Sequence, residues 1–346
     1  MSDRPLLQVR DLKVHFPLRR PHPLAPARVV RAVNGVSFAM MPGRTFGIVG
    51  ESGSGKTTTA LAVMRLVAPT AGHIELDGVD LVPLSAAALR PLRRRFQMIF
   101  QDPFSSLNPR MTAGAIVREP LDLMAVGTPG ERSRRIAELF AAVGLRPEQQ
   151  RLFPHQFSGG QRQRIGIARA IATRPDLIVC DEPVSALDVA IRAQILNLLL
   201  RLQREYGLAY LFISHDLGVV QHMCDDIAVM YLGRIVELTD RAALFRRPLH
   251  PYTWALLSAV PGAAAARGEA RVRLAGDPPS AIDPPAGCGF ASRCPFAEPR
   301  CRSERPELRD VAAGHWVACH RVDRAGRGPH EATPQPAAAV PPAWSG

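Results

Sequence analysis

Short, nearly continuous apolar runs alternate along the chain with longer segments of helical period. Thr45–Val49, Gln97–Phe100, Leu177–Cys180, Tyr210–Ser214 and Ile227–Tyr231 are too brief for helices and are bounded by polar or turn residues, which predicts strands. Thr57–Val67, Glu131–Val143, Ser158–Thr173 and Ala190–Tyr206 predict helices. Strands alternating with helices predict an α/β fold built on a largely parallel sheet. From about Arg246 proline and glycine multiply and the period fades, so a second, irregular module is expected to begin there. From about Ala325 the chain is rich in proline, alanine and glycine with no apolar pattern, and a disordered tail is expected. No internal repeat is visible.

Composition narrows the class. With 47% hydrophobic and 21% charged residues the 346-residue chain is globular, neither collagen-like nor disordered overall. Its length suits one large domain with an appendage. No run of about 18 uncharged apolar residues occurs, and Met1–Pro5 lacks the apolar core of a secretory signal, so a cytosolic chain is expected. The formal charge of +12 suits nucleic acid, an anionic membrane face or a polyphosphate, without choosing among them. Only Lys13 and Lys56 are lysines among 43 cationic side chains, so each stands against a strong preference for arginine.

Four of the strands end in chemistry. Thr45–Val49 runs into Gly50-Glu51-Ser52-Gly53-Ser54-Gly55-Lys56-Thr57, followed by Thr58 and a helix. This is a phosphate loop in its strand–loop–helix context: glycines let successive N–H groups face one anion, and the helix adds its positive end. Lys56 is expected to meet the β- and γ-phosphates and Thr57 to ligate Mg²⁺. Leu177–Cys180 delivers Asp181 and Glu182, a Walker B arrangement in which Asp181 holds the metal and Glu182 polarises the attacking water. Gln97–Phe100 ends in Gln101, and Tyr210–Ser214 ends in His215. Open α/β sheets bind ligands at this end of their strands.

Between the phosphate loop and Asp181 lies Phe157-Ser158-Gly159-Gly160-Gln161-Arg162-Gln163-Arg164. Free N–H groups at that helix start, with Arg162, Arg164, Arg169 and Arg174 on the helix, read as an anion site. The segment resembles the signature motif of ATP-binding cassette (ABC) ATPases, with Phe157 in place of the usual leucine, read as packing. Gln101 is similar to that family's Q-loop glutamine, Ser185-Ala186-Leu187-Asp188 to its D-loop, and His215 to its switch histidine. The resemblance implies a P-loop fold of the ABC type, with a helical subdomain over about 102–172 and an N-terminal antiparallel β subdomain. It implies two such domains clamping two ATP molecules head to tail. Ser158, Gly159, Gly160 and Gln161 would then act in trans, while Glu182, His215 and Gln101 serve catalysis and Thr57, Gln101 and Asp181 serve Mg²⁺. Phe16 falls where the family stacks an aromatic on adenine, displaced by an insertion at Leu18–Arg28; an ordinary core phenylalanine is the alternative.

The match narrows further. Phe100-Gln101-Asp102-Pro103, Ser106-Leu107-Asn108-Pro109, Asp181–Val189, His250-Pro251-Tyr252-Thr253, Gly276–Ser280 and Pro284–Cys288 are similar to ATP-binding subunits of dipeptide/oligopeptide importers. The resemblance spans roughly residues 6–322. It implies an ATPase domain over 1–245, an importer-type extension over 246–324 and a tail over 325–346. It also implies a second related ATPase subunit, two permeases, an extracytoplasmic binding protein and a peripheral place on the cytoplasmic face of the inner membrane. Nickel, glutathione or another small solute is the alternative cargo, and a soluble ABC ATPase acting on nucleic acid the alternative class. Arg90 with Arg93-Arg94-Arg95 reads as a solvated face, so no nucleic-acid partner is expected.

Cys180 and Cys224 lie in apolar surroundings and are expected to be packed thiols. Cys288, Cys294, Cys301 and Cys319 crowd together, which in a reducing compartment favours metal over disulfides. Their spacing lacks a C-x2-C knuckle; zinc, an iron–sulfur cluster and free thiols all remain open. The resemblance to the importers' extension favours [4Fe–4S], in a structural role. His315 and His320 flank Cys319 and are expected to be solvated, with substitution for a cysteine ligand the alternative. Trp254, Leu256 and Leu257 read as local core, with a docking patch as the alternative.

Overall fold

The computed structural model describes residues 4–18, 28–102, 106–259, 276–323 and 325–329. Pro103, most of the Leu18–Arg28 insertion, residues 260–275 of the extension and residues 330–346 of the tail lie outside the described residues.

Twelve described strands form two sheets: β1 (Leu7–Pro17), β2 (Val29–Met40), β3 (Thr45–Val49), β4 (Ala71–Leu76), β5 (Val79–Asp80), β6 (Phe96–Ile99), β7 (Leu177–Asp181), β8 (Ala209–Ser214), β9 (Asp226–Tyr231), β10 (Arg234–Asp240), β11 (Arg309–Ala312) and β12 (His315–Val317). The smaller sheet, ordered β2-β1-β4-β5, is antiparallel. The larger runs β11-β12-β10-β9-β3-β8-β7-β6, with β9, β3, β8, β7 and β6 parallel. Every residue of β3, β7 and β8 is buried, as suits strands covered on both faces. Alternate residues serve opposite faces: Tyr210 and Phe212 join the core under the helices, and Ala209, Leu211 and Ile213 join the core shared with the smaller sheet.

The helices are α1 (Lys56–Val63), α2 (Ala86–Leu92), α3 (Ala113–Leu123), α4 (Pro129–Ala142), α5 (Gly159–Ile171), α6 (Val189–Tyr206), α7 (Leu217–Met223), α8 (Arg241–Arg246) and α9 (Pro251–Ser258), with one further turn at Pro299–Ser303. Helix α1 ends before Val67. Arg65 takes a left-handed φ of 51°, and the N–H groups of Arg65 and Leu66 return to the carbonyls of Ala62 and Leu61. That closing motif ordinarily announces itself with glycine. Here the Arg65 guanidinium anchors the turn on the carbonyls of Leu81 and Leu84.

The extension has little regular structure, as expected, but it is joined to the larger sheet. Its hairpin β11–β12 prolongs the larger sheet, with Glu237↔Val317 and Leu238↔Trp316 pairing β10 to β12. Glu237, fully buried, accepts the N–H groups of Leu249 and His250 at 2.7 and 2.9 Å and lies 2.7 Å from His315 Nε2. A buried carboxylate needs such partners. His315 is therefore a buried structural partner and not the solvated residue its sequence position suggests. His320 meets the Glu304 carbonyl. His250, whose Nδ1 accepts the Tyr252 N–H, is pushed down to about 4 by burial. Leu257 is buried, and Trp254 packs on Phe296, so this patch is local core.

Candidate functional site

Strand β3 carries the chain into a loop that only glycine can close at two points. Gly50 has φ 154° and Gly55 φ 104°; a Cβ there would lie 2.2 Å from the carbonyl oxygens of Met230 and Ala32 respectively. Gly55 caps α1, which opens on Lys56 and Thr57. Lys56 is 5% exposed and donates to the carbonyls of Gly50 and Glu51 at 2.8 and 2.9 Å. Burial lowers its pKa, while Glu182, Asp181 and Glu51 push it back up. Ser54 Oγ is buried with no hydrogen-bond partner among the described residues, an unmet polar atom inside the loop. Gly53, Ser52 and Thr58 complete the turn and the first helical turn.

The sheet order places β7 between β6 and β8, so their terminal residues meet. Thr57 Oγ1 donates to Asp181 Oδ1 at 3.1 Å, joining the loop to β7. Asp181 is raised by burial, with the Thr57 hydrogen bond opposing. Glu182 turns out of the strand with φ 44°, a strained left-handed geometry that aims its carboxylate sideways. There Gln101 Nε2 donates to Oε2 at 3.0 Å, and His215 Nδ1 lies 2.9 Å from Oε1. Gln101, Glu182 and His215 thus form one cluster, adjoining the pair Thr57–Asp181.

Ser158 caps α5, with Gln161 completing a reciprocal box. The described hydrogen bonds of these two residues stay within the cap and none reaches Gly50–Thr58. Gly160 leaves room for Ile191, whose Cγ2 would stand 2.5 Å from a Cβ there. Phe157 is buried, as a packing residue should be. The arginines of α5 depart from the anion site expected of them: Arg162, Arg164 and Arg169 donate to the carbonyls of Pro154, Val143 and Ser106. A guanidinium presents several donors, and here they tie loop ends to the helix. Arg93 and Arg95 are likewise engaged, on the carbonyls of Met64 and Arg65 and on Asp176 and Asp77. Phe16, at the end of β1, is 39% exposed and not a core residue.

One contact had no sequence signal. Arg293, 242 positions from Glu51, donates to both of its carboxylate oxygens, at 2.7 and 3.1 Å. Cys288, Cys294, Cys301 and Cys319, all free thiols, line one small cavity with His250 and Phe290. Burial raises Cys288, Cys294 to about 11 and Cys319 to about 12. As placed, the cavity holds about 10 Å³, and no group of three or more Cys, His, Asp or Glu among the described residues stands in metal-holding geometry. The donor set suits a thiophilic metal, while its spacing does not show one. Cys180 and Cys224 are fully buried in the core.

A parallel sheet, a phosphate loop after β3 and an acidic pair at the end of β7, with β8 between the two strands, define a P-loop ATPase core. Residues 33–185 match the ABC transporter family model, and residues 236–301 match the oligopeptide/dipeptide transporter C-terminal region. The chain is 50% identical over 319 residues to the oligopeptide transport ATP-binding protein AppF of Bacillus subtilis, covering 91% of this chain and 97% of that one. It is 51% identical over 320 residues to the probable peptide ABC transporter ATP-binding protein y4tS of Sinorhizobium fredii, covering 92% and 90%. Among solved structures, the dimeric ATP-binding cassette MJ0796 bound to ADP and Pi superposes with a TM-score of 0.60 at 28% identity, over 68% of this chain and 98% of that one. The chain belongs to the ABC transporter ATP-binding subunits, and is an ATP-hydrolysing enzyme that uses ATP with Mg²⁺. No helix among the described residues is long and apolar enough to cross a membrane.

Proposed function

We propose that this ATPase energises uptake of dipeptides or oligopeptides. It would sit peripherally on the cytoplasmic face of the inner membrane, paired with a second related ATPase subunit on two permeases fed by an extracytoplasmic binding protein. The observation that carries this reading is similarity along nearly the whole chain, extension included, to proteins named for peptide transport. The division into an ATPase domain (1–245, helical subdomain about 102–172), an extension (246–324) and a tail (325–346) belongs to the same proposal.

In this reading the loop Gly50–Thr58 wraps the phosphates, with Lys56 against the β- and γ-phosphates. The unpartnered Ser54 Oγ gains a partner there. Thr57, Gln101 and Asp181 would hold Mg²⁺, which neutralises phosphate charge. Glu182 accepts the proton of the attacking water. Both its oxygens are engaged here, so Gln101 must turn toward the metal to free Oε2 for that water. With Nδ1 on Glu182, His215 has Nε2 left to orient the γ-phosphate. Ser158, Gly159, Gly160 and Gln161 would face the nucleotide bound by the partner ATPase, and Phe16 would stack on adenine. ATP-driven closure of the pair then moves the permeases, and hydrolysis resets them. The four extension cysteines would bind a [4Fe–4S] cluster, with Zn²⁺ the alternative; support comes from their shared cavity and thiol chemistry.

Uptake of a labelled dipeptide and a labelled pentapeptide by cells lacking the chain tests the cargo. The intact chain should restore uptake of at least one, and Glu182→Gln should not. Unchanged uptake of both after deletion would remove peptides from the account.

A further inference from the structure

Phosphate loops bind anions through N–H dipoles held in advance in one arrangement, and a carboxylate on such a loop works against them. Glu51, second residue of this loop, carries one. It is held at three points. Its carboxylate takes two parallel hydrogen bonds from Arg293, at 2.7 and 3.1 Å. Its N–H donates to Tyr252 Oη at 2.8 Å, and its carbonyl accepts from Lys56 Nζ at 2.9 Å. Two of the three anchors come from beyond β10, in α9 and in the cysteine-bearing segment.

Those anchors are themselves fixed. The Arg293 side chain is only 6% exposed and also donates to Tyr231 Oη at 3.3 Å. Tyr231, Tyr252 and Phe290 pack ring on ring, with centroids 4.6 to 5.4 Å apart. Phe290 lies between Cys288 and Arg293 in sequence, and Arg293 precedes Cys294 directly. The backbone of Cys288 is tied in turn to Cys301. A displacement of this segment reaches the phosphate loop directly through Arg293, and through Phe290 on the Tyr252 ring that holds the Glu51 N–H.

We propose that Arg293 is a positioning residue of the nucleotide site: by clamping and neutralising Glu51 it sets the affinity of the phosphate loop, so that the cysteine-bearing extension is a working part of that site. The proposal rests on the reading of Gly50–Thr58 as the ATP site. Without the guanidinium, the Glu51 carboxylate faces the triphosphate unneutralised and the loop loses its outer anchor. The Glu182–Gln101–His215 cluster is built from other strands and stays as it is. Affinity should therefore change while turnover at saturation does not.

Titration of the full-length chain with Mg-ATP and with Mg-ADP, beside steady-state hydrolysis, tests this. Arg293→Gln should raise both dissociation constants about tenfold, as loss of a charge-assisted bidentate pair implies. Its kcat should stay within about twofold. The double variant Glu51→Gln/Arg293→Gln should recover most of the lost affinity, because the exposed charge is gone. A mere strut would show no such recovery. Should Arg293→Gln not fold, Arg293→Lys carries the test. It keeps the charge, loses the fork, and should bind about threefold more weakly than wild type. Wild-type affinity in Arg293→Gln, or a loss that Glu51→Gln leaves unrelieved, overturns the proposal. A wild-type chain that binds no nucleotide overturns the ATP-site reading itself, a different and recognisable failure.

Discussion

Glu182→Gln is expected to bind Mg-ATP within a few-fold of wild type and to hydrolyse it about 10³-fold more slowly, within the range that general-base loss produces. The substitution keeps the shape of the group. The new amide oxygen can still accept from Gln101 Nε2, and the amide nitrogen can still face His215, so the strained backbone at φ 44° keeps its reasons to exist. What disappears is the ability to take a proton from water. Single-turnover hydrolysis of radiolabelled ATP, with binding measured in parallel, separates the two effects. Near-normal turnover would make Glu182 a structural link between Gln101 and His215 and would move the base elsewhere.

Cys294→Ala is expected to abolish bound iron and to speed tryptic cleavage within the extension several-fold. The extension has little core of its own: Leu249, Val317, Cys319 and Val322 form its separate buried cluster, while Tyr252, Leu257 and Phe290 are buried in the larger core. The proposed centre, tying four points of chain together, would replace what burial cannot supply. Trypsin has ready sites at Arg300 and Arg302. Iron and acid-labile sulfide in the wild-type chain, absent from the variant and accompanied by faster digestion, would establish the centre and its structural role. Iron lost with digestion unchanged would deny the role, and a wild-type chain holding zinc or no metal would deny the cluster.

The strands that bear the chemistry were legible because each is an apolar run broken by one polar residue. Gln101, Asp181, Glu182 and His215 could be placed without knowing which strands were neighbours. Their convergence needed the order β6-β7-β8, which apolar runs do not encode. The smaller sheet was harder: β1 is bulged around Asp11, whose φ of 45° breaks the alternation that marks a strand. Strands β11 and β12 are too short to show a period; β12 exists by pairing with β10, and β11 by pairing with β12. Long-range polar pairs left no trace at all. Glu237 with His315 and Glu51 with Arg293 join residues 78 and 242 positions apart. The arginines of α5 misled for a related reason, since charge along a helix looks the same whether it awaits an anion or binds carbonyls.

The central claim is that this chain powers a membrane transporter. The most direct test is affinity purification of tagged Glu182→Gln chain, held with Mg-ATP, from detergent-solubilised membranes of the cells that make it. Two multi-span permeases and a second ATPase subunit should co-purify. Nucleic acid or ribosomal proteins in their place would contradict the transporter while leaving the ATPase core intact.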